Sequence, residues 1–424
     1  MTHNGPPPAK AKDKQGSLPA TPVAIAMTLR EDEASGVATH VRQLRRQLAV
    51  SGTPVLVHTA FSWGGLLRYP VFGLRAVVKR FSPAAGVAWH IYWHELFLQQ
   101  ALRRYLAGVG ACVIYAQGPS EARAALRVRR GPHQRVVMAV HFRVSLADEW
   151  CNSAQGQIRR DGPVFRWIRR RERETIPRVD ALMYVTNWAR QALLTWLPEA
   201  AGVQGAIIGN FVSPQDARPG PQVRDLVSTG ALDIMKNHGF LLEVLAEANK
   251  LGRVLTLDLF GDGPLREELQ AKALSLGVDG QVRFRGFRPD VRSLLPSYRL
   301  YVHSSFNETS SLAIMEAMCA GLPSVAAPAG GIREVLEDGV QGRYWDLGDP
   351  AGAAAIVTEL LGNENVYRAA ALAARDRFGQ EFDANVVVPR LMSFLQGTTA
   401  ADAPWLVSGK SDSAADFSID SRLR

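Results

Sequence analysis

The sequence predicts an α/β protein built from two doubly wound domains. Three observations lead there. Short β-rich apolar runs alternate with helical patterns almost throughout, which is the signature of parallel sheets covered by helices on both faces. The runs fall into two sets of five or six strands, one in each half. At 424 residues, 47% of them apolar and 21% charged, the chain is long enough for two cores and crowded as one.

In the first half the strands are read at PVAIAM from residue 22, TPVLVHT from 53, GACVIYAQ from 110, RVVMAVH from 135 and DALMYVTN from 180. The second half repeats the style at GAIIGNFV from 205, DLVSTG from 225, VLTLDLFG from 254, QVRFRG from 281, LYVHSS from 300 and LPSVAAP from 322. A polar, proline-rich stretch from Ser213 reads as a loop near the junction, so the first domain is expected over 22–200 and the second over 201–380. Residues 1–21 carry no apolar h-region and read as a disordered tail rather than a secretory signal. Residues 397–424, rich in Ser, Asp, Ala and Thr, read as a second tail, after a helix at 381–396.

Composition narrows the setting. Cys112, Cys151 and Cys319 make neither a disulfide framework nor a metal-ligand spacing, which agrees with a reducing compartment and a cytoplasmic protein. No run of apolar residues is long enough to span a bilayer. The net charge of +9 conceals an asymmetry: residues 22–200 hold 25 Lys/Arg against 12 Asp/Glu, whereas residues 201–424 hold 21 against 27. A basic first half points to an anionic partner, for which a membrane surface or phosphorylated acceptor is favoured over nucleic acid because no nucleic-acid module is recognisable.

The segment from His303 to Gly339 carries most of the chemistry. It reads strand, polar loop, helix, turn, strand, glycine loop, helix. Glu308 is expected at the entrance of the helix, with Thr309, Ser310 and Ser311 capping its first turn. The free N–H groups of Ser310, Ser311 and Leu312 would then form an anion site suited to a diphosphate without a metal. Glu316 follows Glu308 by eight residues, about 12 Å along a helix, comparable with the reach from a ribose across a diphosphate to a sugar.

These residues resemble the E-x7-E signature of the retaining, GT-B-fold glycosyltransferases of the family 4 type, which include many bacterial polysaccharide and glycolipid enzymes. Glu308, Leu312, Glu316, Ala317, Met318, Gly321 and Pro323 match the pattern, while Thr309 and Ser311 stand where glycines are usual; Gly330, Gly331 and Glu334 fit as well. The resemblance implies two Rossmann-like domains across a cleft, with Glu308 on the transferred sugar and Glu316 on the ribose. It places Gly230 and Lys236 at the diphosphate, although Ala231 stands where an arginine is expected. Gly261 and Gly263 would floor the donor cleft, and the backbone near Phe287 and Arg288 would meet the base. From the first domain it implies Gly36 at a helix start, approaching the diphosphate or acceptor, and His141 at a strand end near the donor sugar.

The implied reaction moves a sugar from a UDP- or GDP-sugar, a co-substrate rather than a cofactor, to a hydroxyl of a lipid-linked or growing polysaccharide acceptor. The leaving phosphate would help to deprotonate that hydroxyl, so neither a metal nor a carboxylate base is expected. A silent nucleotide-sugar-binding subunit and another enzyme of the same architecture, such as an epimerase, are the alternatives. His90 and His94 lie one helical turn apart without an evident third metal ligand. Their helix, with residues 64–81 and 158–173, forms a basic, aromatic face suited to anionic lipid.

Overall fold

The computed structural model describes residues 21–407 apart from 34, 51, 67, 153–156 and 216–223. The expected tail over 1–21 lies outside the described residues except for its last position, and so does the expected tail from 408 onward.

The first sheet comprises β1 (Val23–Met27), β2 (Val55–Thr59), β3 (Cys112–Ala116), β4 (Gln134–Val140), β5 (Ala181–Tyr184) and β6 (Gly205–Ile207). Between them run α1 (Gly36–Val50), α2 (Arg68–Phe81), α3 (Pro83–Ala107), α4 (Pro119–Val128), α5 (Leu146–Cys151), α6 (Pro163–Thr175) and α7 (Asn187–Trp196). The second sheet comprises β7 (Arg224–Thr229), β8 (Leu257–Phe260), β9 (Val282–Gly286), β10 (Tyr298–His303), β11 (Ser324–Ala326) and β12 (Gly342–Tyr344). Its helices are α8 (His238–Lys250), α9 (Arg266–Ser275), α10 (Val291–Leu294), α11 (Leu312–Cys319), α12 (Ile332–Val335), α13 (Pro350–Gly362) and α14 (Glu364–Arg377). The chain then crosses back through a π turn at Phe378–Phe382 into α15 (Ala384–Gln396) and β13 (Leu406–Val407).

Strand order explains where a ligand can sit. The first sheet runs β13-β6-β5-β4-β3-β1-β2 and the second β12-β11-β10-β7-β8-β9, parallel throughout except for β13. Each order reverses direction once, between β1 and β3 and between β7 and β10. At such a switch point the connections leave to opposite faces and open a crevice beyond the carboxyl ends of the strands.

Two expectations are corrected here. The run from residue 205 was expected in the second domain, but β6 pairs with β5 in the first sheet, so the change of sheet falls after it. Residues 397–407 were expected as tail, but Val407 and Leu406 pair antiparallel with Gly205 and Ala206. The pairing of β6 is long-range, and composition carries no trace of it. α15 completes the first core, with Val387, Leu391, Phe394 and Leu395 buried among β3 and β4 residues. Each such side chain stabilises by about 1.5–3 kcal/mol, which is why the chain returns.

Candidate functional site

A cavity of about 580 Å³ opens between the two sheets, at their switch points. From the first domain it is lined by Val37, Gln117, His141, Phe142, Arg143, Glu149 and Asn152, and from the second by Asp233, Met235, Lys236, Asn307, Glu308 and Thr309. These residues follow β1, β3, β7 and β10, which flank the two reversals, and β4, which lies next to β3.

Lys236 and Glu308 meet at its centre as an ion pair. Lys236 ends a single 3-10 turn, Ile234–Lys236, whose amide is capped by Asp233 Oδ1 at 3.0 Å. Asn237 follows in the left-handed conformation, turning the chain into α8. The Lys236 carbonyl accepts from Ser304 Oγ at 2.8 Å, so the two loops are tied together behind the ion pair. Glu308 also accepts from Ser305 Oγ at 3.0 Å and faces His303 Nε2 at 3.3 Å. Burial pushes the Glu308 carboxyl up, but Lys236 and His303 outweigh it and hold the group far below the usual carboxylate range.

The loop bearing Glu308 is not helical, and this corrects the sequence reading. α11 begins at Leu312 with Ser311 as its N-cap, and Thr309 and Ser310 belong to a bend before it. The amides left free by helix geometry are therefore those of Leu312 and Ala313 rather than of Ser310. The estimate of about 12 Å between Glu308 and Glu316 assumed a continuous helix and does not apply. Gly330 and Gly331 explain the loop's path. A side chain on either would strike the carbonyls of Glu308 or Thr309, at 2.3 and 2.0 Å, and Gly331 N donates to Glu308 O at 2.8 Å. Nearby, Ser310 Oγ and Asn307 Oδ1 are buried without a hydrogen-bond partner.

Glu316 lies outside the cavity. It is buried on α11 with Arg292 Nε at 3.7 Å, and burial pushes its carboxyl up to about 7 against the pull of that guanidinium. Phe287 is exposed, and Arg288 is engaged with Asp290 at 2.8 and 2.7 Å. The glycines Gly261 and Gly263 serve packing: side chains there would meet Gly230 O at 1.8 Å and Leu232 O at 2.4 Å. Gly230 in turn lies beside the Lys236 stem. Gly36 opens α1 opposite α11, where an added methyl group would touch Leu312 Cδ1 at 4.0 Å.

His141 follows β4 and reaches the cavity, its Nε2 3.1 Å from Gln117 Oε1. Its ring packs edge-on to His40 at 5.1 Å, and burial pushes its pKa down to about 4. Both histidines are neutral hydrogen-bonding groups. His90 and His94 pack with ring centroids 3.8 Å apart and planes tilted by 43°, and burial lowers their pKa values to about 2 and about 4.

Sequence reasoning missed Arg143 and Glu149. The guanidinium donates to the carboxylate at 3.0 and 2.7 Å, and its charge is felt by Glu308 and Asp233. Arg143 stands two residues beyond His141, a position that strand-end logic could have flagged. Glu149 lies inside α5 and offered no such signal.

The two domains are also joined directly. Thr186 Oγ1 donates to Thr309 O at 3.0 Å, and the Glu334 carboxylate of α12 accepts from Asn187 N and Trp188 N, both at 2.7 Å, capping α7.

Comparison with known proteins gives the same architecture. Residues 34–215 match the model described as Glycosyltransferase Family 4, and residues 223–363 match Glycosyl transferases group 1. A lipopolysaccharide core biosynthesis glycosyltransferase of Rhizobium meliloti is 33% identical over 108 residues, which is 26% of this chain and 32% of that protein. The N-acetyl-alpha-D-glucosaminyl L-malate synthase of Bacillus anthracis is 31% identical over 130 residues, 31% of this chain and 34% of the other. The matches span about a third of these curated relatives. Among solved structures, the sucrose-phosphate synthase of Thermosynechococcus elongatus superposes with a TM-score of 0.67 at 18% identity, covering 89% of this chain and 99% of that one. Anabaena HepE in complex with UDP and glucose gives 0.64 at 18% identity, covering 88% and 99%. The chain belongs to the GT-B-fold glycosyltransferases, with a family 4 first domain and a group 1 second domain.

Proposed function

We propose that this protein transfers a sugar, with retention, from a nucleoside diphosphate sugar to a hydroxyl of a lipid-linked or growing saccharide acceptor in envelope polysaccharide or glycolipid synthesis. The observation that carries the reading is the Lys236–Glu308 pair in a cavity shared by both domains. On this reading Lys236 and the first amides of α11 take the diphosphate, Glu308 and His141 take the sugar hydroxyls, and Glu316 takes the ribose.

The acceptor would enter from the side of Arg143, Glu149 and Asn152. Each carboxylate in the cavity already accepts a hydrogen bond: Glu308 from Lys236, Glu149 from Arg143, and Asp233 from the Lys236 amide. That supports a mechanism in which the departing phosphate, on the same face as the acceptor, receives its proton. Arg143 would stand in for the cation missing at Ala231, giving the leaving diphosphate two positive charges. No metal is assigned a role, so activity should survive chelation with EDTA.

The relatives bear on the donor. Anabaena HepE was crystallised with UDP and with UDP-glucose, and that nucleotide class is carried here as a proposal alongside GDP. Panels of UDP- and GDP-sugars, read first by thermal shift and then with lipid-linked acceptors by NMR of the product anomeric signal, test the reading. Binding of no nucleotide sugar, or an inverted product, would overturn it. Ala231 favours a second reading, a silent nucleotide-sugar-binding subunit, for which donor would bind without turnover.

A further inference from the structure

Arg292 of α10 reaches two parts of the molecule at once. Its Nη2 donates to Ser213 O at 2.6 Å, and its Nε stands 3.7 Å from Glu316 Oε1. Ser213 belongs to the connection from β6 to β7, the first of the two segments that join the domains. The second is the return through Phe378–Phe382 into α15. The two lie side by side: Val212 N donates to Phe382 O at 2.9 Å, and Ala384 N donates to Val212 O at 3.1 Å. The connection also lies against α11, because Cys319, on the same helix as Glu316, shares hydrogen bonds with the Gln215 backbone and with Arg292.

The distances decide what Arg292 can do. At 3.7 Å its Nε is too far from the carboxylate for a hydrogen bond, yet close enough for its charge to count. Glu316 has a side chain only 14% exposed, so its negative charge needs a cation nearby. Arg292 supplies one without using up the carboxylate oxygens, since its hydrogen bond goes to Ser213 instead. A planar fork can point one nitrogen at the carbonyl and another at the carboxylate, whereas a point-like ammonium must choose. The Ser213 carbonyl, anchored beside the paired crossing segments, keeps the guanidinium from closing onto the carboxylate. Of the other groups around Glu316, burial holds the Tyr301 phenol of β10 neutral, and Asp383 acts on Cys319.

We propose that Arg292 is a positioning residue for the nucleotide. Anchored on the Ser213 carbonyl, it balances the Glu316 charge, leaves the carboxylate oxygens open to ribose hydroxyls, and so ties nucleoside binding to the junction between the domains. Coupling of this kind is reciprocal: nucleotide on Glu316 should steady the paired crossing segments, and loosening Ser213 should weaken nucleotide binding. The proposal rests on the reading that Glu316 takes the ribose.

Calorimetric titration of the full chain with UDP and GDP between pH 6 and pH 9, paired with hydrogen exchange at the Val212 and Ala384 amides, tests it. In the wild type, nucleotide should slow exchange at both amides. Arg292→Gln should weaken binding by up to about tenfold at pH 6, with the loss shrinking toward pH 9, because Glu316 without its cation ionises about one pH unit later. Nucleotide should then no longer slow exchange at the two amides. Arg292→Lys can serve the carbonyl or the carboxylate, so it should restore the pH profile or the protection but not both. Exchange in the wild type that nucleotide does not change, a loss in Arg292→Gln that is equal at every pH, or full rescue by lysine would overturn the proposal. Glu316→Gln tells this apart from the reading beneath it. If that variant binds as tightly as the wild type, or if the wild type binds neither nucleotide, the ribose assignment falls and the role of Arg292 with it. If Glu316→Gln weakens binding and Arg292→Gln does not, Arg292 alone loses its role.

Discussion

Lys236 donates to Glu308 Oε1 across the gap between the loops that follow β7 and β10, and His303 Nε2 lies 3.3 Å from the same carboxylate oxygen. With side chains 29% and 16% exposed, the pair is partly shielded from water. Lys236→Ala should therefore destabilise the protein, toward the lower end of the about 3–5 kcal/mol seen when a buried pair loses one partner. Adding Glu308→Gln should recover much of the loss, as urea midpoints of the single and double variants would show. Glu308→Gln alone should lower kcat by about 10²–10³-fold and leave nucleotide diphosphate affinity nearly unchanged, because Lys236 is then freed for the phosphate.

Glu316 supplies a pH signature. Its carboxyl titrates near 7 through burial, with Arg292 opposing. Ribose hydroxyls need the ionised form as acceptor, so donor affinity should be level above pH 7 and fall as pH drops below it, by up to about tenfold per unit. Calorimetric titration of wild type and Glu316→Gln across pH 5.5–8.5 checks this. The variant should bind more weakly and without that pH dependence.

Arg143 should behave as the second phosphate cation. Arg143→Gln should lower kcat/KM by about 10²-fold, with diphosphate affinity reduced as well. Arg143→Lys keeps the charge and loses the two-pronged geometry that Glu149 holds, so it should fall between. Product-inhibition constants for the diphosphate separate this from an acceptor-only role, in which they would not move.

His141 should make the fold acid-sensitive. Its folded pKa is about 4 against about 6.5 unfolded, so between these values the unfolded chain binds a proton that the folded chain does not. Its contribution is complete above about pH 6.5 and is lost as pH falls toward 4. His141→Asn should shrink the drop in thermal midpoint between pH 7 and pH 5, measured by scanning calorimetry.

Glu334 should act as a latch between domains. Its carboxylate caps α7 from the other domain, and burial raises its pKa against the pull of the two amides. Glu334→Ala should cost about 0.5–2 kcal/mol and speed hydrogen exchange at Asn187 and Trp188.

Much of this was open to a linear reading. The apolar runs that became β1, β3, β4, β7, β8 and β10 are local signals, because a buried parallel strand must be apolar along its whole length. His141 was legible because it follows a strand end, where doubly wound sheets present side chains, and Lys236 and Glu308 because they stand in the motifs that carry the family resemblance. Tertiary structure decided everything that depends on distance along the chain. It placed β6 and β13 in the first sheet, and it started the helix only at Leu312, with Gly330 and Gly331 packed against the Glu308 and Thr309 carbonyls from more than twenty residues away. It also brought Arg143 with Glu149 into the cavity that Lys236 and Glu308 line. Strand patterns are written in neighbouring residues, whereas the charge balance of a cleft is set by side chains that only folding makes neighbours.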